Sequence, residues 1–585
     1  AALLLAVGSL AAQTNPPAGP GPDATPRRTL RAAAADATVT LDGRLDEAAW
    51  AQAEPAVDWV QQRPRPGAPA SQRTEARVLY DAGAVYVGMR MYDTAPDSVV
   101  APLARRDYIG FSDWANVLID SYHDRRTAYR FSVNPAGVKK DVFYFNDMQE
   151  DVGWDAVWDV ATQRDSAGWT AEFRIPLSQL RFSRGDAGER TWGINFFRDI
   201  ARLNERSYWS PMPPDAPGFV SRFGELAGLG ELAPPRRLEV VPYTMARVTR
   251  APDAPGDPFY QENDTYGTVG GDLKYGITSN LTLTATINPD FGQVEADPSQ
   301  VNLTAFEIFF PEKRPFFLEG ADIFRFDIDY RWNIRGKNFA HDQVFYSRRI
   351  GRQPQGFLPA GTVFFDAPTS TRILGAAKVS GKTAGGWSVG FLDAVSAEET
   401  ARYADLRGNR GSTVVEPLSN YAVARASRDF RNGASAIGGI FSAAHRRLDG
   451  TGMDFLRSSA YTAGVDGRHR FGGGNYEVRG ALLGSHVEGS RRSIFLTQIA
   501  PGRYFQRPDA DYVELDPERT SLSGILADAR VERIGGGPWR WGLVGHAISP
   551  GFEINDVGFQ PYPDWAIGTV YLEYNQFRPG RVFQR

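Results

Sequence analysis

The chain has 585 residues, 42% of them hydrophobic and 12% aromatic, with a formal net charge of -4 and no cysteine. That length exceeds what one soluble core normally organises, so two or more domains are expected. The weak negative balance gives no electrostatic footprint for nucleic acid. The missing cysteine excludes disulfides, zinc-thiolate sites and thiol catalysis.

Residues 1–12, AALLLAVGSLAA, read as the apolar core and small-residue end of a secretory signal peptide. The run is too short for a membrane helix, which needs roughly 20 apolar residues. Residues 13–36 are rich in Pro, Ala and Gly and read as a flexible linker. From 37 to 232 the texture is that of a β-sandwich. Strands are expected over 75–80, 84–92, 114–121, 128–134, 169–175 and 192–199, separated by turn signals such as Asn134-Pro135-Ala136-Gly137.

The Pro-rich piece Ala233-Pro234-Pro235-Arg236-Arg237 marks a boundary, and 233–585 changes character. In 279–290, Leu281, Leu283, Ala285 and Ile287 fall on one face of a strand and Thr282, Thr284 and Thr286 on the other. The same alternation returns over 238–249, 266–275, 280–288, 344–350, 372–381, 387–395, 421–429 and 436–446. It continues over 460–471, 476–487, 521–533, 539–548 and 567–577. Most of these stretches are about ten residues long, the span of a tilted membrane strand. Tight links such as Gly472-Gly473-Gly474 alternate with long polar ones at 396–419 and 488–519. The expectation is an all-β chain: a jelly-roll-like sandwich, then an antiparallel transmembrane barrel with lipid outside and water within. No closing strand ending on an aromatic precedes Arg585, so the barrel is expected to be incomplete over these residues. A second soluble sandwich or a propeller is the rival, though no blade repeat near ~40 residues is present.

The motifs carry a resemblance. Leu41-Asp42-Gly43-Arg44-Leu45-Asp46-Glu47-Ala48-Ala49-Trp50 is followed by Thr74–Asp81, Val85–Gly88, Tyr129–Gly137 and Gly168–Pro176. In that order they resemble the family 9 carbohydrate-binding modules. The resemblance implies a sandwich that binds sugars, often polysaccharide ends, with calcium in some members. Asn288–Pro298 and Phe309–Gly320 resemble an uncharacterised barrel domain that follows such modules in bacterial outer-membrane proteins.

A sugar site needs flat aromatic faces and forked polar groups for ring hydroxyls. Trp114, Trp154 and Trp158 are the candidate platforms, with Arg130, Asn134, Asp155 and Arg198 as hydroxyl partners. The bland alternative is that these tryptophans fill the core, as Trp50 and Trp169 are expected to do. Glu150, Asp151 and Asp155, in an acidic cluster with Asp147 and Asp159, are candidate calcium ligands, against a solvated acidic loop. Residues 311–322, with Phe309, Phe310, Phe316 and Phe317, read either as a lumen plug or as an external loop. Gly386-Trp387-Ser388-Val389-Gly390 has the nucleophile-elbow pattern but sits where a strand is expected, so it reads as a chance match. The expected function is glycan capture or passage at the outer membrane, with polysaccharide and membrane lipid as partners. The alternatives are a glycoside hydrolase, for which no carboxylate pair stands out, and a structural or assembly protein.

Overall fold

The computed structural model describes residues 27–580 except 36–38, 108–109, 183–189, 231, 233–237, 253–254, 279, 290–299, 327, 329–331, 335–336, 340–341, 384, 432 and 578–579. The expected signal peptide lies outside these residues. So do 13–26 and 36 of the expected linker. Residues 29–34 are not linker: Thr29–Arg31 and Ala33–Ala34 each add a short parallel strand to the sandwich.

The first unit contains β1 (Thr74–Tyr80), β2 (Ala84–Tyr92), β3 (Trp114–Asp120), β4 (Ala128–Val133) and β5 (Lys139–Phe145). It continues with β6 (Asp159–Asp165), β7 (Gly168–Pro176), β8 (Arg190–Ile200), β9 (Glu205–Tyr208) and β10 (Gly224–Leu229). One sheet runs β10-β8-β3-β4-β5, with β9 also on β8, and the facing sheet runs β6-β7-β2-β1. Alternate residues of both sheets meet between them: Val117, Ile119, Phe131, Ile194 and Phe196 against Val78, Val87, Met89, Trp169 and Phe173, all fully buried. Each large side chain so removed from water is worth about 1.5–3 kcal/mol.

The Leu41-Asp42-Gly43 motif has a structural cause. Gly43 holds φ +82°, and a Cβ there would stand 3.0 Å from the Thr162 carbonyl carbon. The turn's amides at Asp42 and Gly43 donate to Glu172 Oε2 at 3.1 and 3.0 Å, tying the N-terminal motif to β7. Burial raises the Glu172 pKa from 4.5 to about 7, against the pull of those two amides.

The second unit is one antiparallel meander of twelve strands. They are β11 (Leu238–Thr249), β12 (Asp264–Gly276), β13 (Leu281–Ile287), β14 (Ile373–Lys382), β15 (Trp387–Ser396) and β16 (Ser419–Phe430). Then come β17 (Ser435–Arg446), β18 (Arg457–Phe471), β19 (Tyr476–Gly489), β20 (Ser521–Arg533), β21 (Trp539–Ile548) and β22 (Trp565–Tyr574). Among the described residues β11 and β22 pair on one side only, so closure is not seen. One face exposes Ile287, Phe391, Phe441, Val465, Leu482, Ile525, Leu543 and Val570. The other face curls inward, and Leu392, Tyr421, Ala444, Ala460, Val487 and Leu522 converge in one cluster.

That interior is only partly the wet lumen expected from alternation: inward-facing Arg425, Asp466, Arg468, Arg479 and Arg530 line a cavity of about 480 Å³, and the rest is packed with chain. Phe316, Phe317 and Phe324 join the inward cluster, and the Lys378 ammonium donates to the Phe316 carbonyl at 2.5 Å. Residues 311–322 therefore lie inside the sheet, as the plug reading expected. Residues 344–350, expected as a strand, instead form a buried segment with a 3-10 turn at Ser347–Arg349. Its carbonyls at Ser347 and Ile350 are satisfied by the Arg314 guanidinium, at 2.8 and 2.7 Å, rather than by a neighbouring strand. A further segment is pinned by Asp556 to Arg446 and Arg457, at 2.6 and 2.7 Å. The long links also hold structure that alternation did not announce: a hairpin of Glu399–Asp405 and Arg410–Glu416, and the helix Arg491–Ile499.

Candidate functional site

Strands β3, β4, β8 and β9 present one open face of the sandwich, and a cleft of about 210 Å³ lies on it. Its walls include Trp114 and Asn116 from β3, Arg130 and Ser132 from β4, Phe197 and Asp199 from β8, and Arg206 from β9. Pockets for drug-sized ligands span roughly 300–1,000 Å³, so this smaller space suits one sugar ring or a chain end. Phe111, on the loop entering β3, lines the rim and is 67% exposed. Arg130 and Arg206 lie 5.7 and 4.6 Å from the Phe197 ring centroid, which sets two planar guanidiniums along one wall. Arg206 is fixed by a forked pair with Asp199, at 2.7 and 2.9 Å. Burial, then the neighbouring Arg130 charge, lowers the Lys140 pKa at the same cleft.

Three buried polar atoms of lining residues have no hydrogen-bond partner among the described residues: Arg63 Nε, Arg130 Nε and Ser132 Oγ. Buried donors left unpaired cost about 1–3 kcal/mol each. The lining supplies flat rings, guanidiniums and hydroxyls, groups suited to recognising a ring and its hydroxyls.

The structure brings together only Trp114 and Arg130 of the seven expected sugar contacts. Trp114 is 8% exposed, so it walls the cleft with little open face, and Phe111 is the exposed ring that the sequence reading missed. Its signal was available as an aromatic three residues before Trp114. Trp158 is 1% exposed and stacks on Phe173 at 5.7 Å, so it is core. Trp154 packs on Tyr129 at 5.0 Å, away from the cleft.

Arg198 is buried in a network with the Tyr92 carbonyl at 2.8 Å and Asp93 at 3.3 Å, and its guanidinium cannot reach a ligand. Asn134 is fully buried. Its side-chain Oδ1 caps its own turn by accepting from the Ala136 and Val138 amides, and its Nδ2 donates to Ser112 Oγ at 3.3 Å, beside Phe111. Asn134 thus holds the loop instead of touching sugar. Asp155 is exposed and pairs with Arg106 at 2.6 Å.

The calcium expectation finds no geometry to support it. Glu150 accepts from Tyr144 Oη at 2.6 Å, Asp151 from the Gly153 amide at 3.0 Å, and Asp155 is taken by Arg106. Among the described residues no three carboxylate or imidazole groups are placed to share a metal ion. Asp147 of the same acidic run is an interface residue, paired with Arg470 of β18 at 2.5 Å. Ser388 stands on β15, in extended backbone with no following helix.

Residues 234–585 match the domain of unknown function DUF5916, more than half of the chain. The chain belongs to the DUF5916 family. Residues 41–198 match the carbohydrate family 9 binding domain-like family, so the sandwich of this DUF5916 protein is a module of that type. Among curated proteins none matches. Similar solved structures include a family 9 carbohydrate-binding module from Caldicellulosiruptor kristjanssonii in complex with cellotriose. It is 18% identical, covers 35% of this chain and 95% of its own, and has a TM-score of 0.27. A putative carbohydrate-binding protein from Bacteroides uniformis is 14% identical, with 34% and 99% covered and a TM-score of 0.27. The outer membrane channel DcaP of Acinetobacter baumannii is 9% identical, with 79% and 94% covered and a TM-score of 0.24. Likeness this faint adds nothing to the geometry described above.

Proposed function

We propose that this protein is an outer-membrane barrel whose sandwich captures oligosaccharide at the periplasmic mouth. The observation that carries sugar binding is the cleft of Phe111, Arg130 and Arg206 on a carbohydrate family 9 module. A polar site built of ring-stacking and hydroxyl-reading groups fits a neutral sugar better than an apolar ligand.

The sheet's outer face supports lipid as its surroundings. An apolar face spread over twelve strands far exceeds what monomeric soluble proteins expose. Aromatics gather on that face at one end of the strands, as interfacial girdles do: Trp387, Phe430, Phe471, Tyr476, Trp539, Trp541 and Tyr574. Phe471 stacks on Tyr476 at 5.5 Å, Tyr476 meets Trp541 at 6.2 Å, and Trp539 meets Tyr574 at 4.9 Å.

The girdle end is also the end of the tight turns, such as those at 472–475 and 534–538, while the links of the opposite end are long. The sandwich rests on those turns. Asp124 pairs with Lys382 at 2.5 Å, Arg126 with Asp429, and the Gly536 amide donates to the Asp215 carbonyl at 3.1 Å. Short turns face the periplasm in outer-membrane barrels, so the sandwich belongs on that side.

Because the chain has no cysteine, single-cysteine labelling tests this directly. Val157→Cys on the sandwich and Leu406→Cys in a long link both sit at exposed positions. A membrane-impermeant maleimide should label the second in intact cells, and both once the outer membrane is permeabilised. Labelling of the sandwich position in intact cells would refute the orientation.

A further inference from the structure

Where the sandwich meets the sheet's tight-turn end lie two adjoining cavities of about 550 and 480 Å³. Thr127, Asp322, Ile323, Lys382 and Ser388 wall both, so they form one chamber, and none of its lining residues belongs to the Phe111 cleft. One wall is aromatic. Half-buried Trp154 stands there with Tyr129 and Phe143, ring centroids 5.0 and 6.5 Å away, and the amide of Gln179 lies in the same wall.

The other wall carries seven arginine or lysine side chains against four carboxylates, two of which already pair with Arg126 and Arg425, while the Trp154 side carries five carboxylates against three cations. Asp124, Glu477 and Asp528, which pair with Lys382, Arg479 and Arg530, do not themselves line the cavity, so the cationic partners front it. Arg126 is 6% exposed and its Nε has no hydrogen-bond partner among the described residues. Arg325 is exposed and lies 5.1 Å from the Phe145 ring.

We propose that this chamber binds a saccharide carrying carboxylate or sulfate groups. The ring packs on the Trp154 wall and the anionic substituents meet the guanidinium wall. A guanidinium presents its N–H groups in a planar fork that matches such oxyanions, and an aromatic face suits the apolar side of a sugar ring. The site is separate from the cleft and does not depend on sugar binding there.

The test is calorimetric titration of the full chain in detergent with an oligogalacturonate, a sulfated oligosaccharide and a neutral cello-oligosaccharide. Binding of at least one anionic oligomer should fall about tenfold in Trp154→Ala and in Arg325→Gln. It should weaken with added salt, survive in Trp154→Phe, and remain unchanged in the cleft variant Phe111→Ala. Which oligomer binds separates carboxylate from sulfate recognition. If Trp154→Ala fails to fold, Arg325→Gln decides. The proposal is overturned if neither anionic oligomer binds, if Arg325→Gln leaves binding intact, or if only Phe111→Ala abolishes it. Loss of neutral-sugar binding alone would count against the cleft and leave the chamber standing.

Discussion

Glu172 couples the stability of the sandwich to pH, and the sign is opposite to that of most carboxylates. Its side chain is fully buried, Oε2 accepts the Asp42 and Gly43 amides, and Oε1 has no hydrogen-bond partner among the described residues. Burial raises its pKa from 4.5 to about 7. A carboxyl whose folded pKa lies above its unfolded value contributes its full stabilisation below pH 4.5, where both states are protonated. That contribution is lost as pH rises through about 7, because the folded state must then ionise a buried group. At about 1.4 kcal/mol per unit, the shift corresponds to about 3 kcal/mol.

Glu172→Gln keeps a carbonyl acceptor for the two amides and removes the titration. Urea denaturation of the detergent-solubilised chain should be followed by tryptophan fluorescence at several pH values between 4.5 and 8. Relative to the variant, the native chain should lose about 3 kcal/mol across that range. Parallel stability profiles would refute the argument that this carboxyl is held protonated by burial.

Other changes separate framework from site. Gly43→Ala forces a side chain into φ +82° against the Thr162 backbone, and should lower the same denaturation free energy by about 1–2 kcal/mol. Trp158→Ala removes a ring stacked in the core and should cost about 3–5 kcal/mol, whereas Phe111→Ala, at an exposed rim, should leave stability within about 0.5 kcal/mol of native. Deleting 309–322 empties part of the inward cluster around Phe316 and Phe317, so single-channel conductance in planar bilayers should rise. No rise would show that this segment does not obstruct the interior.

Strand alternation was the most legible signal in the sequence. Expected bounds such as 238–249, 521–533 and 539–548 coincide with the observed strands, because a period of two survives wherever one face meets a different medium. The same rhythm misled at 344–350. There Val344, Tyr346 and Ile350 are buried inside the sheet, and burial alone, without pairing, explains their apolar spacing. Trp50 and Trp169 read correctly as core, but Trp158 did not, since polar neighbours in sequence do not reveal which way a ring points. The cleft was half legible. Arg130 follows from the Tyr129–Gly137 motif, yet Arg63 and Arg206 reach it only through pairing of β9 with both β8 and residues 60–63, a long-range register that no local pattern carries.

On the proposed function the Phe111 cleft holds a sugar. Titrating the detergent-solubilised full chain with a panel of neutral oligosaccharides, beside Phe111→Ala, tests it most directly. At least one oligosaccharide should bind the native chain, and its affinity should drop about five- to tenfold when the exposed ring is removed. Equal affinity in both proteins, or no binding across the panel, would contradict it.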